Sequence, residues 1–404
     1  MAFIALLSAR DSAREGTGAA ADGALIEFGG QPLVEFQARI AIAAGADHIL
    51  IQTDAVTTDL AQLVDRLTGE RQASVALVRD MLSLSRGLAP ADRILLIAEN
   101  MLIPTEAVVA LAGQPPPAML TLPSAPTTSG FERIDAEAMW AGALLLPGEA
   151  VLATLDMLGE WDLGLTVLRR AVQMNAERIM LPPELVMDGQ LGALHSQQSA
   201  DAALQVLADR ETRAVAGEGD GLQRVLAMVS RPLLHELVRR QIEPARLTGI
   251  TLVLGILGLA LGIAGFPVPG LVLALLSFGL RDLAAQCAEI TLRPKASPYG
   301  HYAIDAMAVA LLALIGWRLS EGQLLSISGS WFPIFIAVLI SSTRAQADIV
   351  TGLWAPWVRI SVPIALFVVL GGLLVGQGGA AFALLGLLAI AAVTLRLIPK
   401  RPKV

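Results

Sequence analysis

Cysteine occurs once in the 404 residues, at Cys287, and the four histidines (His48, His195, His235 and His301) stand far apart. A single thiol excludes a disulfide framework, and imidazoles without ligand spacing argue against a zinc site. Charged residues make up only 16% of the chain and glycine follows no period, while 54% is apolar. Neither a disordered chain nor a collagen-like fibre has that composition. Aromatic residues contribute just 4%, so the apolar content is aliphatic. Lysine is missing altogether from residues 1–229.

What is present divides the chain in two. An apolar share of 54% and a mean hydropathy of +0.63 exceed the ~45–50% usual in soluble proteins. Residues 1–229 hold 15 arginines and 29 acidic residues, a net charge of −14, whereas residues 230–404 hold 14 basic and 7 acidic residues, a net of +7. An acidic front half is joined to a basic, hydrophobic back half.

Six apolar stretches follow Arg246: Leu247–Phe266, Pro269–Ala288, Ala303–Trp317, Trp331–Ser341, Val362–Val375 and Ala380–Ile398. A hydrocarbon core of ~30 Å takes about 20 helical residues, and the stretches predict a six-span membrane domain over 247–404. The second carries Arg281, Asp282, Gln286 and Glu289, which must face protein or water because polar groups facing lipid cost several kcal/mol each. Cations gather before the first span, between the second and third, between the fourth and fifth, and at the C-terminus. By the positive-inside rule the front domain and C-terminus are cytoplasmic, and the expected location is multi-pass in the inner (cytoplasmic) membrane. The segment 230–246 includes Leu233, Leu234, Leu237 and Val238 opposite Arg231, His235, Arg239 and Arg240. It reads either as a juxtamembrane amphipathic helix or as a plain connector helix.

Through residues 1–195, short apolar runs alternate with helical patterns. Phe3–Leu7, His48–Gln52, Val75–Val78 and Ile94–Ala98 are expected strands; Leu33–Ala44, Leu60–Leu67 and Val151–Leu158 are expected helices. This alternation predicts an α/β domain with a mainly parallel sheet covered on both faces, and its sites are expected at the C-terminal strand edges. Residues 196–229 are polar and alanine-rich, and are expected to form a linker. No internal repeat supports a transporter.

Several fragments carry a resemblance. The strand Phe3–Leu7 runs into Leu7-Ser8-Ala9-Arg10-Asp11-Ser12-Ala13-Arg14; Gly29-Gly30-Gln31-Pro32-Leu33-Val34-Glu35-Phe36-Gln37 follows, then Phe131–Asp135 and Trp140-Ala141-Gly142. Together they resemble the sugar-phosphate nucleotidyltransferases, whose L-x-A-G-x-G-x-R loop and P-L-[IV]-E-[FY]-Q segment surround a nucleoside triphosphate. The resemblance puts Arg14 at the family's phosphate-binding arginine and Glu99 in place of its metal aspartate. Arg10 and Ser12 stand where the loop's glycines belong, and the family's phosphate-steering lysine has no counterpart.

The back half resembles the CDP-alcohol phosphatidyltransferases, six-helix membrane enzymes in which an alcohol displaces CMP. Arg231-Pro232-Leu233 and Ile242–Thr248 look like their entry into the first span. Their motif, D-x2-D-G-x2-A-R-x8-9-G-x3-D-x3-D, holds two metals and a general base. Anchored on Asp282, it meets Ala285, Gln286, Glu289 and Ile290, then Gly300, Ile304 and Ala308; Asp305 comes one residue late. The order of the halves resembles the bifunctional inositol-phosphate cytidylyltransferase and di-inositol-phosphate phosphate synthase fusion.

The resemblance implies transferase chemistry in phospholipid or polar-lipid headgroup synthesis, with Mg²⁺ or Mn²⁺ as cofactor. Asp282 and Asp305 are the implied catalytic acids; Asp282, Glu289, Asp305 and Glu99 are the candidate metal ligands; and Arg14, Arg293 and Lys295 are the candidate phosphate cations. Implied partners are the lipid bilayer, a CDP-linked or phosphorylated alcohol and a second copy in a homodimer, with no nucleic acid. The lost motif positions equally support a pseudoenzyme that binds a lipid, a nucleotide or a partner enzyme without turnover. For the charged residues of the second span the alternative to a cation or phosphate site is internal pairing, of Arg281 or Arg293 with Asp282 or Glu289.

Overall fold

The computed structural model describes residues 1–9, 26–70, 73–155, 163–218, 233–234, 236–237, 244–294, 298–320 and 362–397. Two compact units result: Met1–Leu207 with Thr291–Pro294, and Ala208–Ile290 with Lys295–Val404.

In the first unit, Phe3–Ser8 forms β1, Leu33–Ala43 α1, His48–Gln52 β2, Thr58–Gly69 α2, Ser74–Val78 β3, Met81–Arg86 α3 and Arg93–Ile97 β4. Next come β5 (Met101–Leu102), α4 (Thr105–Ala112), β6 (Ala118–Pro123), β7 (Glu132–Arg133) and β8 (Ala138–Pro147). The series ends with α5 (Gly148–Leu155), α6 (Leu163–Gln173), β9 (Glu177–Met180), α7 (Glu184–Met187), β10 (Gly192–Ala193) and α8 (Gln197–Glu218).

The main sheet has the order β3-β2-β1-β4-β8-β6-β9, with β7 paired to β8. Strands β3, β2, β1 and β4 are parallel, but β8 lies antiparallel to both β4 and β6. The sheet is therefore mixed: β6 and β9 are also parallel, so most pairings match the mainly parallel expectation, and the antiparallel ones all involve β8. The short β6-to-β8 connection explains this: it turns through Pro126–Thr128 and carries no crossover helix, so it joins antiparallel neighbours.

Period-2 alternation separates two cores. Phe3, Ala5 and Leu7 of β1 enter one, and Ile4 and Leu6 enter the other. Helices have local causes too: Thr57 caps α2 by accepting the Leu60 N–H at 3.3 Å, and Leu60, Leu63 and Leu67 bury one stripe. The expected linker begins as α8, whose Ala200 and Ala203 are buried in the first core, so the unit reaches past residue 195 to Leu207.

The second unit is helical: α9 (Pro244–Ile263), α10 (Pro267–Ile290), α11 (Pro298–Ser320), α12 (Val362–Leu374) and α13 (Gly378–Leu397). Among the described residues, three helices are long and apolar enough to cross a membrane, matching α9, α10 and α11. The 13-residue α12 spans only about 20 Å. The expected fourth stretch, Trp331–Ser341, lies outside the described residues. Helices α9 and α10 touch backbone to backbone, since a Cβ on Gly258 would meet the Gly270 carbonyl oxygen at 2.9 Å. Ser277 donates to the Thr251 carbonyl at 3.0 Å across the same seam. Outward-facing Ile250, Val253, Ile256 and Leu257 leave α9 with an exposed aliphatic side.

Candidate functional site

The first unit carries a cleft of about 160 Å³ where β1, β2 and β4 end, lined by Ser8, Gln52, Ala98, Glu99, Trp140 and Leu163 among others. It lies at the C-terminal edge of the parallel strands, as expected for such sheets. The Ser8 hydroxyl donates to Glu99 Oε2 at 3.2 Å. Two left-handed residues shape this corner. Asn100, at φ 56, turns the chain directly after Glu99; Gly142, at φ 90, lets its carbonyl accept the Ala98 N–H at 2.7 Å. Any side chain at Gly142 would drive a Cβ to 2.5 Å from Met101.

Gln37 holds this turn from below, donating from Nε2 to the Ala98 carbonyl at 2.9 Å and the Met101 carbonyl at 2.8 Å. It is the last residue of the P-L-V-E-F-Q segment, so that segment positions the Glu99 turn. Glu35 in the same segment is fully buried and accepts from Arg39 at 2.9 Å and Arg66 at 2.6 Å. Burial alone would lower the pKa of Arg39, but hydrogen bonds from Glu70 and Glu35 outweigh it and raise the value.

In the second unit, Arg281 is 4% exposed. Its guanidinium reaches Asp282 Oδ1 at 2.9 Å and Asp305 Oδ1 at 3.0 Å, and lies 4.5 Å from the Phe278 ring centre. The structure thus brings Asp282 and Asp305 to one cation, across α10 and α11. The one-residue offset of Asp305 is what allows it: the motif positions Ile304 and Ala308 face the apolar core, 2% and 3% exposed, and Asp305 turns toward Arg281.

Glu289 is exposed on α10. Arg293 donates to the Gly30 carbonyl at 2.6 Å within the first unit. Arg14 and Lys295 lie outside the described residues. Among the described residues no three His, Cys, Asp or Glu side chains form a group able to hold a metal ion. Cys287 is buried, as an apolar side chain in a span would be. The sequence reading missed Ser8, Gln37 and Gln52 as site residues; their signal is a polar side chain at the C-terminal end of an apolar strand, or one ending the helix segment packed beneath it.

The chain thus joins a mixed α/β sheet unit to helices long and apolar enough to span a membrane. No protein-family model matches it, and no curated protein matches it. Among solved structures it is similar to a Bacillus anthracis protein assigned as a glucose-1-phosphate thymidylyltransferase, determined with sucrose. Identity is 13%, coverage is 45% of this chain and 87% of that one, and the TM-score is 0.34.

Proposed function

We propose that this chain is a membrane-embedded relative of the nucleotidyltransferase and CDP-alcohol phosphatidyltransferase fusion that binds a nucleotide or CDP-linked alcohol without transferring it. The observation that carries this reading is the Arg281 guanidinium between Asp282 and Asp305. Paired dications need several carboxylates converging on them. Here the two retained acids are satisfied by a cation that the protein itself supplies, and a donor set shared with a guanidinium does not fit two Mg²⁺ or Mn²⁺ ions. In the front domain, the cleft above β1, β2 and β4 offers Ser8, Gln52 and Glu99 to a polar ligand, with Glu99 the one carboxylate among the described lining residues and no lysine in residues 1–229. Inner-membrane location with both termini cytoplasmic belongs to this proposal, on the strength of the cation distribution.

The test is CMP release from CDP-diacylglycerol and CDP-inositol by the full-length protein in detergent with Mg²⁺ or Mn²⁺, across a panel of alcohols, alongside calorimetric titration with CTP, CDP and CMP. The expected result is nucleotide binding that Glu99→Ala weakens, without CMP release. Turnover abolished by Asp282→Asn or Asp305→Asn would restore the catalytic reading and overturn this one.

A further inference from the structure

We propose that Thr291–Pro294 is a clasp, and that the Gly29–Gln31 turn is its seat, so that closing the clasp stiffens helix α1 and the turn bearing Glu99. The tetrapeptide folds as part of the first unit, although in sequence it lies between α10 and α11. Gln31, 2% exposed, donates from Nε2 to the Thr291 carbonyl at 2.7 Å and accepts from Arg39 Nε at 2.9 Å. Arg39 is in turn gripped by Glu35 and Glu70. Opposite, Arg293 donates to the Gly30 carbonyl at 2.6 Å.

Shape agrees with the bonding. Gly29 has φ 63, and a Cβ there would sit 3.0 Å from the Thr291 methyl carbon. Thr291 is 4% exposed, and Leu292 packs against the first core. Leu292 has φ 51, a conformation L residues rarely adopt and one that persists only when surrounding contacts hold it. Left-handed Leu292 is therefore held beside the left-handed Gly29–Gly30 turn, which is itself closed by hydrogen bonds between Phe28 and Gln31.

Helix α1 connects the seat to the cleft. Arg39 and Glu35 join the seat through Gln31, while Gln37 on the same helix bonds the Ala98 and Met101 carbonyls flanking Glu99. Hydrogen bonds and one rigid helix thus make a contiguous path from the seat to the Glu99 turn. The clasp rests on these contacts alone and does not depend on what ligand, if any, the cleft takes.

Hydrogen exchange on the full-length protein in detergent tests this. With Arg293→Ala, amides in 27–37 and 98–103 are expected to exchange about fivefold faster, the scale of one lost hydrogen bond, with β6 (118–123) unchanged. With Gln31→Ala, the reciprocal rise is expected in 291–293, and Arg293→Lys should fall between wild type and Arg293→Ala. The clasp is overturned if either alanine variant leaves the opposite segment unchanged, or if β6 accelerates equally, which reports global loosening.

Discussion

The two units bury charge in different ways. In the sheet unit, Glu35, Arg39, Arg66 and Glu70 balance one another, with two carboxylates facing two guanidinium groups. In the helical unit one buried guanidinium meets two carboxylates, and both acids keep some exposure, 31% for Asp282 and 21% for Asp305. The sheet network is centred on fully buried Glu35 and nearly buried Arg39, and Glu70 (19% exposed) and Arg66 (41% exposed) carry it to the surface. In the helical cluster, by contrast, both acids that grip the buried guanidinium are partly exposed to solvent.

Breaking the sheet network should cost the most. Glu35→Ala removes a fully buried carboxylate from buried Arg39, which keeps Glu70, and from half-exposed Arg66, and a loss of about 3–5 kcal/mol is expected in denaturant unfolding; a loss below 1 kcal/mol would contradict the comparison. Arg281→Ala should cost less, about 2–3 kcal/mol, because Asp282 and Asp305 retain access to solvent. Thermal unfolding in detergent checks this, and Arg281→Lys should recover part of the loss.

Asp92 sharpens the contrast through pH. Its carboxylate accepts the Ala2 N–H at 2.8 Å and the Ala89 N–H at 2.9 Å, and the Ala2 hydrogen bond holds its pKa below the ordinary value. A depressed carboxyl contributes stability that is full above its unfolded pKa of ~3.9 and disappears as pH falls through the folded value. Acid titration of unfolding should show that loss in wild type and lack it in Asp92→Asn, at a cost of about 1–3 kcal/mol near neutral pH. Ser8→Ala should have the smallest effect, about 0.5–1.5 kcal/mol, since the Ser8–Glu99 bond is one part-buried contact.

How much was legible varied with the physics of each segment. Strand β2 was found as His48–Gln52 because a short apolar run sits between polar turns. Strand β8 was missed: its Ala138–Pro147 run is buried on both faces, so it shows no alternation to separate it from a helix. Strand β9 is an exposed edge with a polar pattern, and it too gives little signal. For the site, the strand-end rule pointed to the edge of the sheet where the cleft lies, but Gln37 acts from a helix beneath that edge. In the apolar helices, the offset of Asp305 was visible in the spacing. Its pairing with Arg281 was not among those expected, which joined Arg281 or Arg293 to Asp282 or Glu289, because Arg281 meets it across two helices.

The central claim is that Asp282 and Asp305 serve Arg281 rather than metal ions. Electron paramagnetic resonance of the full-length protein titrated with Mn²⁺ tests it most directly. The account predicts no tightly bound Mn²⁺ whose signal depends on either aspartate; stoichiometric Mn²⁺ that disappears in both Asp282→Asn and Asp305→Asn would contradict it.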